Sequence, residues 1–368
     1  MDQKISIFIP VYKESDLLPS LLQGLLNDPY DQKEIFVIVD EPTKKSLEIS
    51  EKLGSDVKFI LNGKRKGKAY VLNEAVKESS GDILLFLDAD ITPPNPYHLL
   101  NSVSEEMKNA DIIEIKKNVI RDSFLARVIN YDYLSFNSTN WIFSRTLGRC
   151  LGFNGAAFAI KRKAFESLSG FRRVVSEDLD MGIRSFINDC NFKYINKVQV
   201  YNKVPSSWNE WFRQRKRWGI GAALWLKEHY KELLLVVRKN PKVLLSLLLI
   251  FPSLPLFVTN MLVPNEIYLK IISILLLFLA TKAGLLLHPI LFTSIGVALI
   301  KNAFASVASF VVYSIIFYYL ARKLRYAFNP LEFTVFYFIY SPLWLLIIIA
   351  SIIKVAINHD KIDIDWKI

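Results

Sequence analysis

Hydrophobic positions divide the chain into two parts that meet near residue 235. Before that point apolar residues form short runs between polar stretches of helical spacing, and after it they form runs long enough to cross a bilayer. The sequence therefore predicts a soluble domain over residues 1–205, an amphipathic interfacial segment over 206–240, a transmembrane domain over 241–356 and a polar tail over 357–368.

The first part alternates between strand-like and helix-like patterns. Apolar residues recur at helical spacing over Leu18–Leu26 and again over Lys68–Glu78. Alternating strands and helices predict an α/β fold with a doubly wound, mostly parallel sheet, in which ligands bind beyond the carboxyl ends of the strands. The predicted strands are short β-branched or aliphatic runs: Ile5–Ile9, Ile35–Val39, Val57–Leu61 and Ile83–Leu87.

The second part contains four apolar runs of membrane-spanning length. Val243–Val263 and Thr334–Ile353 are uncharged, and Ile267–Leu287 carries lysines only near its ends. Ile290–Leu320 is too long for one upright helix and has Lys301 near its middle, so a tilted, a kinked and a hairpin form all remain open. We expect four spans, or five if this run divides.

Charge next to the apolar runs predicts a multi-pass protein of the cell membrane. Cations precede the first run and are absent after it, which favours an orientation from inside to outside. The N-terminus lacks an apolar core of signal-peptide length, so the first domain is expected in the cytoplasm. The basic residues Arg322, Lys323 and Arg325 also favour the inside, which conflicts with four spans and keeps five open.

Composition narrows the classes of function. Hydrophobic residues make up 52% of the chain, which argues against a disordered, a collagen-like or an ordinary soluble protein. The net charge of +11 lies largely beside the apolar half and accompanies no nucleic-acid motif, so we expect membrane lipids and an anionic substrate, not nucleic acid. Two cysteines and four scattered histidines cannot form a zinc cluster or a disulfide framework, so any metal should have oxygen ligands.

Acidic and basic residues follow the predicted strands. Asp40 ends one strand, Asp88-Ala89-Asp90 follows another, and the basic run Lys64–Lys68 leads into the second helix. Carboxylates at a strand end can hold Mg²⁺ or Mn²⁺ and leave positions for substrate phosphates. Each motif taken alone is more often a solvated turn or loop, so neither establishes a site by itself.

Two later segments also contain residues that could take part in catalysis or binding. Glu177 and Asp178 can open a helix, where capping is as good an explanation as catalysis. The segment Trp208–Trp218 mixes cations and indoles, as an interfacial amphipathic helix does, and this role is compatible with a catalytic one.

Taken in order, these motifs resemble the D, DxD, (T)ED and QxxRW series of family-2 glycosyltransferases. The resemblance covers residues 4–235 and implies a GT-A fold followed by a helical transmembrane bundle, as in cellulose, chitin and hyaluronan synthases and ceramide glucosyltransferases. The segments that carry it are Asp40, Asp88-Ala89-Asp90, Ser176-Glu177-Asp178 and Gln214-Arg215-Lys216-Arg217-Trp218.

The resemblance implies a role for each matching residue. Asp40 would contact the nucleobase, Asp88 and Asp90 would bind a divalent cation on the diphosphate, and Asp178 would be the general base. The QxxRW segment would close over donor and acceptor. It follows that Lys66, Lys68 and Arg217 are assigned to the nucleotide sugar, and Glu177, Gln214 and Trp218 to the acceptor and to gating.

We therefore expect an inverting, metal-dependent membrane glycosyltransferase that moves a sugar from a nucleoside-diphosphate sugar, with a UDP-sugar favoured, to a lipid hydroxyl. The alternatives are a processive polysaccharide synthase and a polyprenyl-phosphate sugar synthase, although the latter typically lacks QxxRW. A membrane-anchored nucleotide-binding or transport protein is the alternative of another class. Glu41-Pro42 replaces the residues common after the first aspartate, which leaves the nucleobase open, and the slim helical part weakens the case for a polymer channel.

Overall fold

A computed structural model describes residues 3–92, 98–255 and 294–357. The chain forms two compact units, one made of residues 1–239 with the C-terminal stretch from residue 347, and one made of residues 240–346. The first unit is an α/β domain. Its eight helices in the described ranges are α1 (Leu18–Leu26), α2 (Lys44–Leu53), α3 (Lys68–Lys77), α4 (Leu99–Met107), α5 (Phe124–Thr146), α6 (Arg162–Ser167), α7 (Glu177–Ile187) and α8 (Trp208–Lys239).

The strands of this unit form one sheet. Their order within the described residues is β3-β2-β1-β4-β7-β6-β8-β5, with β1 to β4 parallel to one another and β6 parallel to β8. Strands β7 and β5 run antiparallel to their neighbours. The bounds are β1 (Ile5–Tyr12), β2 (Lys33–Asp40), β3 (Lys58–Asn62), β4 (Ile83–Leu87), β5 (Ile91–Thr92), β6 (Ile112–Val119), β7 (Ala157–Lys161) and β8 (Phe192–Asn202).

The α/β prediction is confirmed, and the four predicted strands correspond to β1, β2, β3 and β4. The sheet is mixed where a mostly parallel one was expected, because β7 enters between β4 and β6 in the opposite direction. Since β4 and β6 end at the edge where β7 begins, the segment before β7 lies beside the residues that follow β4. This arrangement places a loop from the middle of the chain against the predicted Asp-x-Asp motif.

Cross-strand aromatic rings stabilise the centre of the sheet. Phe36, Phe8, Phe86 and Phe158 occupy aligned positions on β2, β1, β4 and β7. The ring centroids of successive members are 5.3, 5.2 and 5.0 Å apart, which is the offset-stacked range. Aliphatic side chains, including Ile5, Ile7 and Ile9 of β1, form the large core cluster with Leu18 of α1. The strands that position the site are therefore held from both faces.

The loop before β7 packs on helix α7 without room for side chains. A Cβ atom built on Gly182 would lie 2.5 Å from Gly152 Cα and 2.8 Å from Gly152 N, and one built on Gly152 would lie 2.6 Å from Leu179 Cδ2. Two glycines are therefore needed where the loop backbone meets the helix. Their contact fixes the distance between this loop and the residues that open α7.

Among its described residues, the C-terminal part contains two helices that are long and apolar enough to cross a membrane, Lys301–Leu324 and Pro330–Ile357. The long apolar run that could have formed a hairpin is one continuous helix from Ser294 to Leu324. Of the first predicted span, Val243–Val263, the structure describes the residues up to 255, and within them the helix Leu245–Ile250 ends before Pro252. The predicted span Ile267–Leu287 lies outside the described residues, and so does the count of spans.

We expect Gly182→Ala to destabilise the protein, although alanine favours a helix over glycine by about 1 kcal/mol. The added methyl group must displace the backbone of Gly152, and overpacking of this kind costs roughly 1–3 kcal/mol. The thermal unfolding temperature of the purified protein measures the effect. Gly63→Ala is the matched control, because a Cβ atom there has no neighbour within 4 Å, and equal unfolding temperatures for the two variants would contradict the prediction.

Candidate active site

The carboxyl end of β2 fixes the basic loop that leads into α3. Asp40 is 6% exposed, and its Oδ2 accepts hydrogen bonds from the backbone N–H groups of Lys66 and Gly67 at 2.9 and 3.0 Å. Asn62 Nδ2 donates to Oδ1 at 3.0 Å. Gly67 has a φ of +91°, a conformation that favours glycine. A carboxylate has about four acceptor positions, so Asp40 shapes this loop and keeps capacity for one further donor.

Lys68, the first residue of α3, connects two of the predicted acidic motifs. Its Nζ lies 2.7 Å from Asp88 Oδ1 and 3.3 Å from Glu177 Oε1. The charges of Asp88 and Glu177 raise the pKa of Lys68 against the opposing effect of desolvation, so the ammonium form is strongly favoured. One cation therefore holds together carboxylates that lie 89 positions apart in the chain.

Asp90 differs from Asp88 in having no such partner. Within the described residues, no other side chain donates a hydrogen bond to its carboxyl. The residue is exposed at the surface, but protein atoms surround its carboxyl group closely enough to desolvate it in part. This desolvation and the charge of Asp88 raise the pKa of Asp90 to about 7. Asp88 Oδ1 is paired with Lys68, whereas the Asp90 carboxyl has no side-chain partner among the described residues, so Asp90 can offer oxygen ligands of the kind that a hard divalent cation requires.

Asp178 lies in the first turn of α7 and faces the same space. Gly155 N–H donates to Oδ2 at 3.0 Å, and Leu179 N–H donates to Oδ1 at 2.8 Å. Burial and the charge of Glu177 raise its pKa to about 6, while Lys68 and the two N–H groups act in the opposite direction. A carboxyl with this pKa is ionised at neutral pH and close to the range suited to accepting a proton.

One pocket brings several of these groups together. It is polar on one side, where it is lined by Lys68, Asp88, Glu177 and Asp178, and otherwise lined by Pro10, Leu72, Phe86, Gly155, Phe158 and Phe171. Sequence motifs from α3, the end of β4 and the start of α7 thus meet, as the resemblance implies. The apolar floor explains the desolvation that raises the pKa of Asp178.

The predicted residues of α8 are not among those that line this pocket. Gln214 and Trp218 are partly buried, and Arg217 is exposed. Within Gln214–Trp218 the buried residue is Arg215, whose Nη2 lies 2.7 Å from Asp132 Oδ2 of α5 and whose guanidinium lies 4.5 Å from the ring centroid of Trp218. Sequence reasoning missed this pair, because a single aspartate within a long helix gives no signal.

A second acidic cluster contains Asp180, Glu228 and His229, with one ligand atom from each within 4.8 Å of the others. Asp180 already pairs with Arg172 at 3.0 Å and with Arg184 at 2.7 Å, and Arg172 also pairs with Glu228 at 2.6 Å. Two guanidinium groups supply the positive charge that a metal ion would bring. We therefore interpret this cluster as a structural link between α7 and α8.

A buried ion pair also lies near the pocket. Glu114 and Lys117 of β6 are both fully buried, with Lys117 Nζ 2.6 Å from Glu114 Oε1. Burial lowers the pKa of Lys117, while Glu114, Asp178 and Asp88 act to raise it. The sequence offers only a weak signal for this pair, because the two charges lie three residues apart in a strand that also contains Lys116 and Asn118.

Comparison with known proteins identifies the family of the N-terminal domain. Residues 6–169 match the model of glycosyl transferase family 2. The matched residues include β1 to β7 and the Asp88-Ala89-Asp90 motif, so the prediction of this kind of domain is confirmed.

Curated relatives of this domain are named as glycosyltransferases. The chain is 26% identical over 282 residues to the probable glycosyltransferase YdaM of Bacillus subtilis, covering 72% of this chain and 66% of the relative. It is 24% identical over 222 residues to a poly-beta-1,6-N-acetyl-D-glucosamine synthase of Staphylococcus epidermidis, covering 59% and 54%. The chain thus spans about half to two thirds of the length of these relatives.

A solved structure shares the fold. PcManGT, a mannosyltransferase from Pyrobaculum calidifontis in complex with GDP-Man and Mn²⁺, aligns over 98% of this chain and 89% of its own, with a TM-score of 0.58 and 18% sequence identity. The GT-A-like fold predicted from the resemblance is therefore confirmed.

The raised pKa values predict how stability depends on pH. Asp90 and Asp178 titrate near 7 and 6 in the folded protein against a usual value of 3.8, so the native state retains protons that the unfolded chain releases. Stability should therefore fall as pH rises from about 5 to about 7.5. Thermal unfolding in EDTA measures this slope, and Asp90→Asn should reduce it. An unfolding temperature that rises over the same range would contradict the prediction.

Proposed function

We propose that this chain is an inverting, metal-dependent membrane glycosyltransferase that transfers a sugar from a nucleoside-diphosphate sugar to a hydroxyl group. The observation that carries the proposal is the single pocket lined by Lys68, Asp88, Glu177 and Asp178. It places a cation, a carboxylate of the metal-binding type and a candidate base around one cavity. Transfer of a sugar from a diphosphate needs these three elements.

Asp178 is proposed as the general base. It would accept the proton of the acceptor hydroxyl as that oxygen forms a bond to the anomeric carbon and the bond to the diphosphate breaks. One direct displacement inverts the anomeric centre. Its two backbone hydrogen bonds fix the carboxylate plane and leave each oxygen with a free lone pair, so orientation and proton acceptance are compatible.

Asp88 and Asp90 would hold a divalent cation, Mg²⁺ or Mn²⁺. They fit this role, because both supply carboxylate oxygens and, among the described residues, no other side chain donates a hydrogen bond to Asp90. The ion would neutralise charge on the leaving diphosphate. Lys68 would contribute a further positive charge at that side of the pocket, and Asp40 with the Lys66–Gly67 loop would contact the nucleotide. The solved neighbour PcManGT, whose complex contains GDP-Man and Mn²⁺, agrees in donor class with this proposal.

A lipid at the membrane surface is the proposed acceptor. Helix α8 exposes the aromatic rings of Trp208, Phe212 and Tyr230 at 36, 42 and 49%, interspersed with basic side chains such as Arg213 and Arg217. Rings and cations in this mixture suit the headgroup region of a bilayer. Two apolar helices in the described C-terminal residues support a membrane location, and we propose that the catalytic domain lies on the cytoplasmic side. Gln214, Arg217 and Trp218 would close over the donor and the acceptor.

A processive polysaccharide synthase is the second candidate. It is favoured by the relatives named poly-beta-1,6-N-acetyl-D-glucosamine synthase. The length of the product distinguishes the two functions: one or two sugars on a lipid support single transfer, and a ladder of long products supports polymer extension.

Asp178→Asn tests the base. With Mn²⁺, native lipids and a panel of radiolabelled UDP- and GDP-sugars, the wild type should label a lipid-extractable product, and the variant should lose roughly 10²- to 10⁴-fold in rate. Donor binding measured by calorimetry should persist, since the amide replaces the carboxylate without changing the pocket. Asp111→Asn, at the opposite edge of the sheet where the carboxylate pairs with Lys161, is the matched control. Full transfer by Asp178→Asn would exclude this base.

Lys68→Met tests the cation of the pocket. Removing the ammonium leaves Asp88 and Glu177 unpaired and takes a positive charge from the diphosphate side. We expect the Kd for the donor to rise by roughly 10- to 100-fold, in line with the value of a charged hydrogen bond. Lys45→Met, which removes an exposed lysine paired with Asp16, should leave the Kd unchanged. A donor Kd equal to that of the wild type would contradict the assignment.

A further inference from the structure

Three consecutive residues before β7 connect the two acidic motifs of the pocket. The carbonyl of Ala156 accepts a hydrogen bond from Asp88 N–H at 2.8 Å, and Gly155 N–H donates to Asp178 Oδ2 at 3.0 Å. Ala156 N–H donates to the side chain of Asn154 at 3.0 Å, which closes a tight turn. The segment Asn154–Ala156 thus sets where the proposed base lies relative to the proposed metal ligand.

This segment is held at its start by Glu114. Asn154 N–H donates to Glu114 Oε1 at 3.2 Å, and the same oxygen accepts from Lys117 Nζ at 2.6 Å. Glu114 Oε2 accepts from Asn140 Nδ2 of α5 at 2.6 Å. Donors from β6, α5 and the loop therefore converge on one fully buried carboxylate, whose position is fixed from three directions.

We propose that Glu114 is a positioning residue for the sugar-transfer reaction: by holding Asn154 it aligns the Gly155 N–H with Asp178 and the Ala156 carbonyl with Asp88. This inference rests on the proposed function, because it assigns Glu114 a role through the proposed base. Glu114 touches neither the pocket nor the reacting atoms, since it is absent from the residues that line the pocket.

The ion pair by itself does not explain the arrangement. A buried Glu–Lys pair often contributes little net stability, and replacement of both members by apolar residues of similar size is often neutral or stabilising. The carboxylate of Glu114, however, supplies a hydrogen-bond acceptor for Asn154 that an apolar side chain cannot supply. A variant that removes both charges therefore separates the positioning role from a contribution to stability.

The experiment compares Glu114→Leu combined with Lys117→Met against Glu114→Gln in the full-length protein. The double variant should remain folded, keep its donor Kd within about twofold, and lose roughly tenfold or more in kcat. A loss of this size is typical when a residue that orients a functional side chain is removed. Glu114→Gln retains an acceptor oxygen and should keep kcat within about threefold of the wild type. The inference is overturned if the folded double variant keeps the kcat of the wild type, or if its donor Kd rises as much as its kcat falls.

Glu106→Gln is the matched control. Like Glu114, Glu106 of α4 is a buried carboxylate that pairs with lysine, in this case with Lys193 and Lys197. Among the described residues it makes no contact with the Asn154–Ala156 segment. Its substitution should leave kcat and the donor Kd unchanged. If Glu106→Gln lost as much kcat as the double variant Glu114→Leu with Lys117→Met, the loss would be a general effect of changing a buried charge, and the inference would be overturned.

Amide hydrogen exchange tests the same arrangement without a measurement of activity. The amides of Asn154 and Gly155 should exchange slowly, because both donate to carboxylates inside the protein. Glu114→Leu with Lys117→Met should speed exchange in the peptide over residues 150–156. Rapid exchange of these amides in the wild type overturns the inference. If the wild type transfers no sugar, the proposed function is overturned, and the exchange result is unaffected.

Discussion

The pairing of Lys68 with Asp88 and Glu177 is the interaction on which the rest of the site depends. Four carboxyl groups, from Asp88 to Asp178, lie close together beside an apolar floor, and their mutual repulsion opposes folding. A single ammonium group at the start of α3 offsets part of this cost. Desolvation, with the charge of the neighbouring carboxylates adding to it, raises the pKa of Asp90 to about 7 and that of Asp178 to about 6. Four carboxyl groups beside one ammonium group leave residual negative charge, which is what a site for a cation and its bound diphosphate should have.

The backbone that carries these charges is rigid where they meet. The stacked phenylalanines hold β2, β1, β4 and β7 in register, and the Gly152–Gly182 contact fixes the loop before β7 on α7. The loop then reaches both acidic motifs through backbone groups, the Gly155 N–H and the Ala156 carbonyl. The precision of the site therefore derives from the mixed sheet, because only an antiparallel β7 brings this loop to the edge where β4 ends.

Local patterns in the sequence predicted strands β1 to β4 and a helix over Lys68–Glu78, which the structure has as Lys68–Lys77. These predictions succeeded because hydrophobic periodicity is a local signal. The acidic residues Asp88, Glu177 and Asp178, singled out from the order of motifs, line one pocket, and their roles stay predictions. The antiparallel entry of β7 was not predictable in this way, since pairing between β4 and β7 depends on residues about 75 positions apart. The same reason hid the Asp132–Arg215 pair and the role of Asn154.

The apolar C-terminal runs were harder to interpret. Composition indicates the length and polarity of an apolar run but not where a helix ends within it. The helix that begins at Leu245 ends at Ile250, inside a run that is continuous in composition. By contrast, the long run around Lys301 is one helix, although a buried lysine within it suggested a division. Length and charge therefore indicate membrane-spanning character more reliably than they indicate the ends of each helix.

The link between α7 and α8 has a mechanical consequence. Trp225 Nε1 donates to the carbonyl of Leu179 at 3.1 Å, and His229 lies 3.3 Å from Asp180, so α8 is attached to the first turn of α7 at two points about one helical turn apart on α8. Because Asp178 belongs to that same turn, α8 cannot rotate about its axis without either breaking these bonds or carrying the carboxylate of Asp178 with it. A force applied to the exposed face of α8 is thus transmitted to the side of the pocket that carries Asp178.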